Sequence, residues 1–208
     1  TLDWAAVRAG TGEWSSPMYI LDAHKKAANA GMGSTFALRF TVEVEKVPQG
    51  PLYLVVEDPQ RYTISLNGES VSTQDEGEWR DTCFRKLDIT GRLVKGVNTI
   101  QLSGTFTRDT EIESVYLLGD FAVATGKGEF EGSTTGQVFY RYPASFKITE
   151  LPKTVSCTDL TSQGLPFFAG RLRLSTHLHV DAVPQSASLM LEDLRAALAY
   201  VRVNGEEA

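Results

Sequence analysis

A unit of two strands closed by Asn-Gly-Glu occurs twice in this chain, and it commits much of the backbone to antiparallel β structure. The first copy runs Val47-Pro48-Gln49, then Leu52-Tyr53-Leu54-Val55-Val56, then Tyr62-Thr63-Ile64-Ser65-Leu66, and ends in Asn67-Gly68-Glu69. The second runs Val183-Pro184-Gln185, then Leu189-Met190-Leu191, then Ala199-Tyr200-Val201-Arg202-Val203, and ends in Asn204-Gly205-Glu206. Proline and asparagine lie 19 positions apart in the first copy and 20 in the second. Asn-Gly favours the type I′ hairpin turn, because both residues tolerate positive φ. Further strands follow the first copy over residues 84–90 and 96–102, whereas the second has three residues left after Gly205. This predicts a fragment of something larger, or closing strands supplied from elsewhere. In the second case either a partner pairs with residues 200–203, or earlier strands close residues 189–208 into one interleaved domain.

Alternation elsewhere supports an all-β chain. Phe36, Leu38, Phe40, Val42 and Val44 fall on one face of a period-two run, the signature of a half-buried strand. Residues 52–56 are more uniformly apolar, which suits a central strand. These two runs are expected to pair, with Phe36, Leu38, Phe40, Leu54 and Val56 in the core. Strands are also expected at 85–87, 97–102, 113–118, 121–124, 137–142, 146–148 and 168–180. Many short strands separated by polar, Gly-rich turns predict an antiparallel β-sandwich rather than βαβ units. Residues 20–32 are Ala-rich and read as a short helix or an irregular entry segment. Residues 189–199 set Leu191, Leu194 and Leu198 at helical spacing against the repeat, and the repeat predicts strand, turn, strand there, with the turn near Asp193.

At 208 residues the chain is long enough for one large domain or two small ones. The division expected is an entry segment over 1–33, a sandwich over 34–125 and a further β region over 126–208, truncated or interleaved with the first. A net charge of −6 argues against a nucleic-acid surface, and no apolar run approaches the length of a membrane span. Cys83 and Cys157 read as two buried thiols, although sequence alone leaves a disulfide open.

Residues 36–102 resemble the sugar-binding, galactose-binding-like β-sandwich (jelly-roll) domain of family 2 glycoside hydrolases. Leu66-Asn67-Gly68, Leu87-Asp88-Ile89-Thr90 and Gly96-Val97-Asn98-Thr99-Ile100 carry the likeness. Glu111-Ile112-Glu113-Ser114-Val115-Tyr116-Leu117-Leu118-Gly119-Asp120-Phe121 and Gln163-Gly164-Leu165-Pro166-Phe167-Phe168-Ala169-Gly170 are similar to the β-sandwich region of bacterial glycosidases related to α-L-rhamnosidases. Val201-Arg202-Val203-Asn204-Gly205-Glu206 fits as well. The resemblance implies a non-catalytic module of a secreted or periplasmic enzyme whose catalytic carboxylates lie on a separate barrel domain. Its partners would be that catalytic domain and carbohydrate, with neither nucleic acid nor membrane. No cofactor is implied, and a structural calcium is left open. A free-standing carbohydrate-binding module and a purely structural interaction domain are the alternatives.

Sugars stack their C–H faces on aromatic rings and offer hydroxyls to carboxylates, amides and guanidinium groups. Trp79, with Glu78, Arg80 and Asp81 in one polar loop, is therefore the leading carbohydrate-binding candidate. Trp14, beside Glu13, is the second. No catalytic residue is assigned. Glu111, Glu113, Asp120, Asp88 and Asp193 show no setting that pairs them as glycosidase carboxylates. Asp88 and Asn98 are expected to bond nearby backbone in turns. His177 and His179 share one face of an expected strand, with no third metal ligand in register. The run from Gly126 to Gly136 lacks the Gly-Lys-Ser/Thr of a phosphate loop and reads as a hairpin.

Overall fold

The computed structural model describes residues 1–125, 129–132, 138–141, 146–168, 170–192, 194 and 198–207. Strands β1 (Trp4–Ala9), β2 (Met18–Tyr19), β3 (Thr35–Val44), β4 (Leu52–Glu57), β5 (Thr63–Leu66), β6 (Glu69–Val71), β7 (Glu78–Trp79) and β8 (Asp81–Asp88) come first, with helix α1 (Ile20–Asn29) between β2 and β3. They are followed by β9 (Gly96–Thr105), β10 (Tyr116–Gly119), β11 (Ala122–Thr125), β12 (Glu129–Gly132), β13 (Val138–Arg141) and β14 (Phe146–Thr149). Last come β15 (Arg202–Val203) and β16 (Glu206–Glu207).

The larger sheet has the order β11-β14-β3-β9-β5-β6, with β1 beside β3 and β2 beside β1. Strand β3 is its spine. It pairs antiparallel with β9 along ten residues, from Thr35 opposite Thr105 to Val44 opposite Gly96. Its other edge is shared: β1 covers Phe36 to Arg39, and β14 adds a short parallel pair at Glu43 and Val44. The smaller sheet has the order β10-β4-β8-β7. The two sheets close over one core. Leu38, Phe40, Ile64, Ile100 and Leu102 come from the larger, and Leu52, Leu54, Val56 and Leu87 from the smaller. The architecture is thus an all-β sandwich with antiparallel sheets. Phe36, Leu38, Phe40, Leu54 and Val56 are all in the core, as alternation requires.

Strands β3 and β4 do not pair with each other; they lie in opposite sheets. Pro48 and Pro51 stand in the connection between them, where a missing N–H and a fixed φ disfavour a tight hairpin. Residues 52–56 do form a central strand, between β10 and β8. The Ala-rich segment becomes α1, burying Ile20, Ala23 and Ala27 at helical spacing. Gly31, at φ +91°, bonds its N–H to the Ala28 carbonyl at 2.9 Å and ends the helix.

Both Asn-Gly pairs form the expected hairpin turn. Asn67 and Gly68 have φ of +53° and +86°, and Asn204 and Gly205 have φ of +52° and +91°. Beyond its turn the second copy departs from the first. Among the described residues of 168–180 and 189–199 no strand forms, against the strands expected there; Ala169, Asp193 and residues 195–197 lie outside the described residues. Among the described residues strand β15 pairs with β16 alone. The expected strand near 137–142 is present as β13, opposite β12.

Asn98 is fully buried. Its Oδ1 accepts from the Val94 N–H and from Asn67 Nδ2, both at 2.9 Å, and its Nδ2 donates to the carbonyls of Val94 at 2.7 Å and Gly96 at 3.1 Å. Asp88 accepts from the Thr90 N–H at 2.8 Å, and bonding from Thr90 holds its carboxyl below the usual range. Both are turn-fixing residues, as their sequence setting predicts. Cys83 and Cys157 are free and exposed, which corrects the expectation of buried thiols. Pairing of β8 with β4 ends at Phe84 opposite Glu57, so Cys83 lies beyond the stretch that the neighbouring strand covers.

Candidate functional site

The outer face of the smaller sheet carries a cluster of aromatic side chains. Because side chains alternate, Val55 points away from the core between Leu54 and Val56. It lies opposite Tyr116 of β10 and Lys86 of β8. Val55 is nevertheless fully buried, so this face holds a packed layer. The Trp79 ring lies 4.7 Å from the Tyr116 ring, tilted by 49°, and Phe84 meets the same tyrosine edge-on at 5.8 Å. The Arg80 guanidinium sits over Trp79 at 4.9 Å, and Lys86 lies 5.6 Å from the Tyr53 ring. The rings of Trp79, Phe84 and Tyr116 are half-buried, which leaves part of each open to a ligand.

The loop bearing Trp79 is pinned from behind. Asp75 accepts from Arg85 Nη2 at 2.7 Å and from the Gly77 N–H at 2.8 Å. The Arg85 bond holds the Asp75 carboxyl below its ordinary range and raises Arg85 in turn. Lys86 bonds the loop through both backbone groups, to Glu76 and Gly77. Between Glu78 and Trp79 the pairing jumps from Arg85 to Asp81, leaving Arg80 at a tight turn with φ +64°. A non-glycine residue there stores on the order of 1 kcal/mol, tolerated where neighbours over-determine it. Asp81 closes the turn by accepting from the Cys83 N–H at 3.0 Å.

Acidic groups border this layer. Glu57, at the end of β4 opposite Phe84, has a buried Oε2 with no hydrogen-bond partner among the described residues. Burial raises its carboxyl above the ordinary value, reinforced by the charges of Glu113, Glu111, Asp58 and Asp81. Burial likewise raises the Tyr116 phenol, with Asp3 and Glu113 adding to it. Tyr62 donates to the Glu111 carbonyl at 2.8 Å and is pushed up to about 12, again chiefly by burial.

Glu78, Trp79, Arg80 and Asp81 are therefore brought together at one site, with Glu78 exposed at its margin. Trp14 is not part of it: it rests on Arg39 and Arg8 of the larger sheet. Sequence reasoning missed Tyr116, Phe84 and Glu57. Phe84 and Lys86 share a strand face by period two, but only the pairing of β10, β4 and β8 sets Tyr116 beside Trp79. His177 and His179 lie in an exposed segment without strand structure, His179 being 3.5 Å from Asp181. Among the described residues no group of three or more His, Cys, Asp or Glu could hold a metal ion. No helix among them is long and apolar enough to cross a membrane. Comparison of the chain with protein-family models, with curated proteins and with solved structures found no match.

Proposed function

We propose that this chain is a non-catalytic β-sandwich module of a bacterial glycoside hydrolase, with a galactose-binding-like, jelly-roll plan. It supports the catalytic domain and contacts carbohydrate through the face around Trp79. The half-exposed layer of Trp79, Tyr116 and Phe84, bordered by Arg80, Asp81 and Glu57, carries this reading. Flat apolar rings take the C–H face of a pyranose, while the bordering charged groups take its hydroxyls. A pinned loop lowers the entropy lost on binding. The resemblance of residues 36–102 and 111–121 supplies the enzyme class, and with it a secreted or periplasmic setting. A glycan array probed with the chain tests it: binding to neutral glycans is expected, and Trp79→Ala should abolish that binding. An array blank for the intact chain would leave a purely structural domain instead.

One observation favours a second reading. A carboxyl raised by burial and flanked by other carboxylates, as Glu57 is, suits a general acid. Under that reading the chain alone would hydrolyse aryl glycosides, and Glu57→Gln would stop it.

A further inference from the structure

The outer face of the larger sheet carries a second constellation, built around Trp14. Arg8 on β1 lies opposite Ala37, two residues before Arg39 on β3, so the two arginines share one face as diagonal neighbours. The Arg39 guanidinium stands 4.0 Å from the Trp14 ring centre and that of Arg8 5.1 Å. The loop delivering Trp14 is fixed by reciprocal bonds at 3.0 Å, Ser15 N–H to the Val7 carbonyl and Val7 N–H to Ser15 Oγ.

Among the described residues neither arginine has a carboxylate partner within salt-bridge distance. The polar contact of Arg39 is a long one, 3.4 Å from Nη2 to Gln101 Oε1, and its Nε is buried with no hydrogen-bond partner among the described residues. Glu43, the acid on the same face of β3, is engaged by Lys147 at 2.8 Å. Two uncompensated cations thus stand side by side on a chain of net charge −6. Arg8 also borders a depression of about 240 Å3, lined besides by Thr35, Ala37, Thr63, Ser103 and Gly104. This is smaller than the roughly 300–1,000 Å3 of sites enclosing drug-sized ligands, so it suits a single sugar ring.

We propose that this face binds an acidic monosaccharide unit, with its carboxylate held by Arg8 and Arg39 and its hydroxyls by Ser103 and Thr63. Guanidinium forks match carboxylate geometry, whereas a neutral sugar would leave both cations unanswered. The site lies in the other sheet from Trp79 and stands independently of the function proposed above.

The test titrates the full chain with galacturonate, galactose and acetate, following the Trp14 indole N–H by NMR. Galacturonate should move that resonance and bind at least about tenfold more tightly than galactose or acetate, more weakly as salt rises. Arg39→Gln and Arg8→Gln should each weaken it about tenfold, and Trp79→Ala should leave it unchanged. Arg8 is exposed, so Arg8→Gln decides the matter even if Arg39→Gln disturbs folding. Equal binding of galacturonate and galactose would overturn the proposal. So would acetate matching galacturonate, or galacturonate affinity unchanged in Arg8→Gln.

Discussion

Replacing Asn98 by alanine should unlock two turns at once. Its side chain makes four hydrogen bonds at 2.7–3.1 Å, three to backbone groups of Val94 and Gly96 and one to Asn67, whose own Oδ1 accepts from the Thr99 N–H at 2.9 Å. Each such bond is worth roughly 0.5–1.5 kcal/mol net, and a buried group left unpaired costs more. Four bonds give roughly 2–6 kcal/mol. Val94 is 53% exposed, so water recovers part of the loss at its end. About 3 kcal/mol is the expected cost, or about 6–12 °C in Tm for a chain of this size. Urea unfolding with paired thermal melts measures it. Asn98→Asp should lose at least as much, because it removes both donors and buries a charge. A loss below about 1 kcal/mol in Asn98→Ala would refute the claim that this network fixes the turns.

Three further outcomes follow from the structure. Gly68→Val should cost about 1–2 kcal/mol through positive φ alone, since a Cβ there would meet no atom within 4 Å, whereas Gly205→Val, in a hairpin of exposed residues paired only with each other, should leave Tm in place. Glu57 has a raised carboxyl, so its contribution to stability is fully present below its unfolded-state value and is lost as pH rises through the folded value; Glu57→Gln should raise Tm at pH 7 and change it less at pH 4, as melts at both will show. The chain alone should hydrolyse no aryl glycoside, and turnover that disappears in Glu57→Gln, Glu111→Gln or Glu113→Gln would replace the module reading with the enzymatic one.

Hydrophobic patterning marks two of the structure's core strands. Residues 36–44 and 52–56 alternate or run apolar because they face a core, and burial follows from that pattern. The Asn-Gly turns and the bonding of Asp88 and Asn98 were equally legible, because turn chemistry is local. Sheet membership was not. Alternation says which side chains share a face, not which strand lies alongside, so it suggests a pairing of β3 with β4 that Pro48 and Pro51 disfavour. Residues 168–180 alternate as well, with Arg171 and Arg173 interleaved by Leu172 and Leu174, yet a strand also needs a hydrogen-bonded neighbour and no described segment lies beside them. The candidate site was half visible. Trp79, Arg80 and Asp81 are contiguous, but Tyr116 reaches them only through a register that no single strand encodes. Trp14 was legible as an aromatic in a polar loop, and its two arginines only once β1 was paired with β3.

The function proposed for this chain turns on sugar binding at the face around Trp79. Calorimetric titration of the intact chain with a glycan selected on the array, repeated with Trp79→Ala, Tyr116→Ala and Trp14→Ala, tests it most directly. For a neutral glycan, saturable one-site binding is expected, weakened at least about tenfold by Trp79→Ala and clearly by Tyr116→Ala, and unchanged by Trp14→Ala. Binding that survives Trp79→Ala and Tyr116→Ala intact would contradict it.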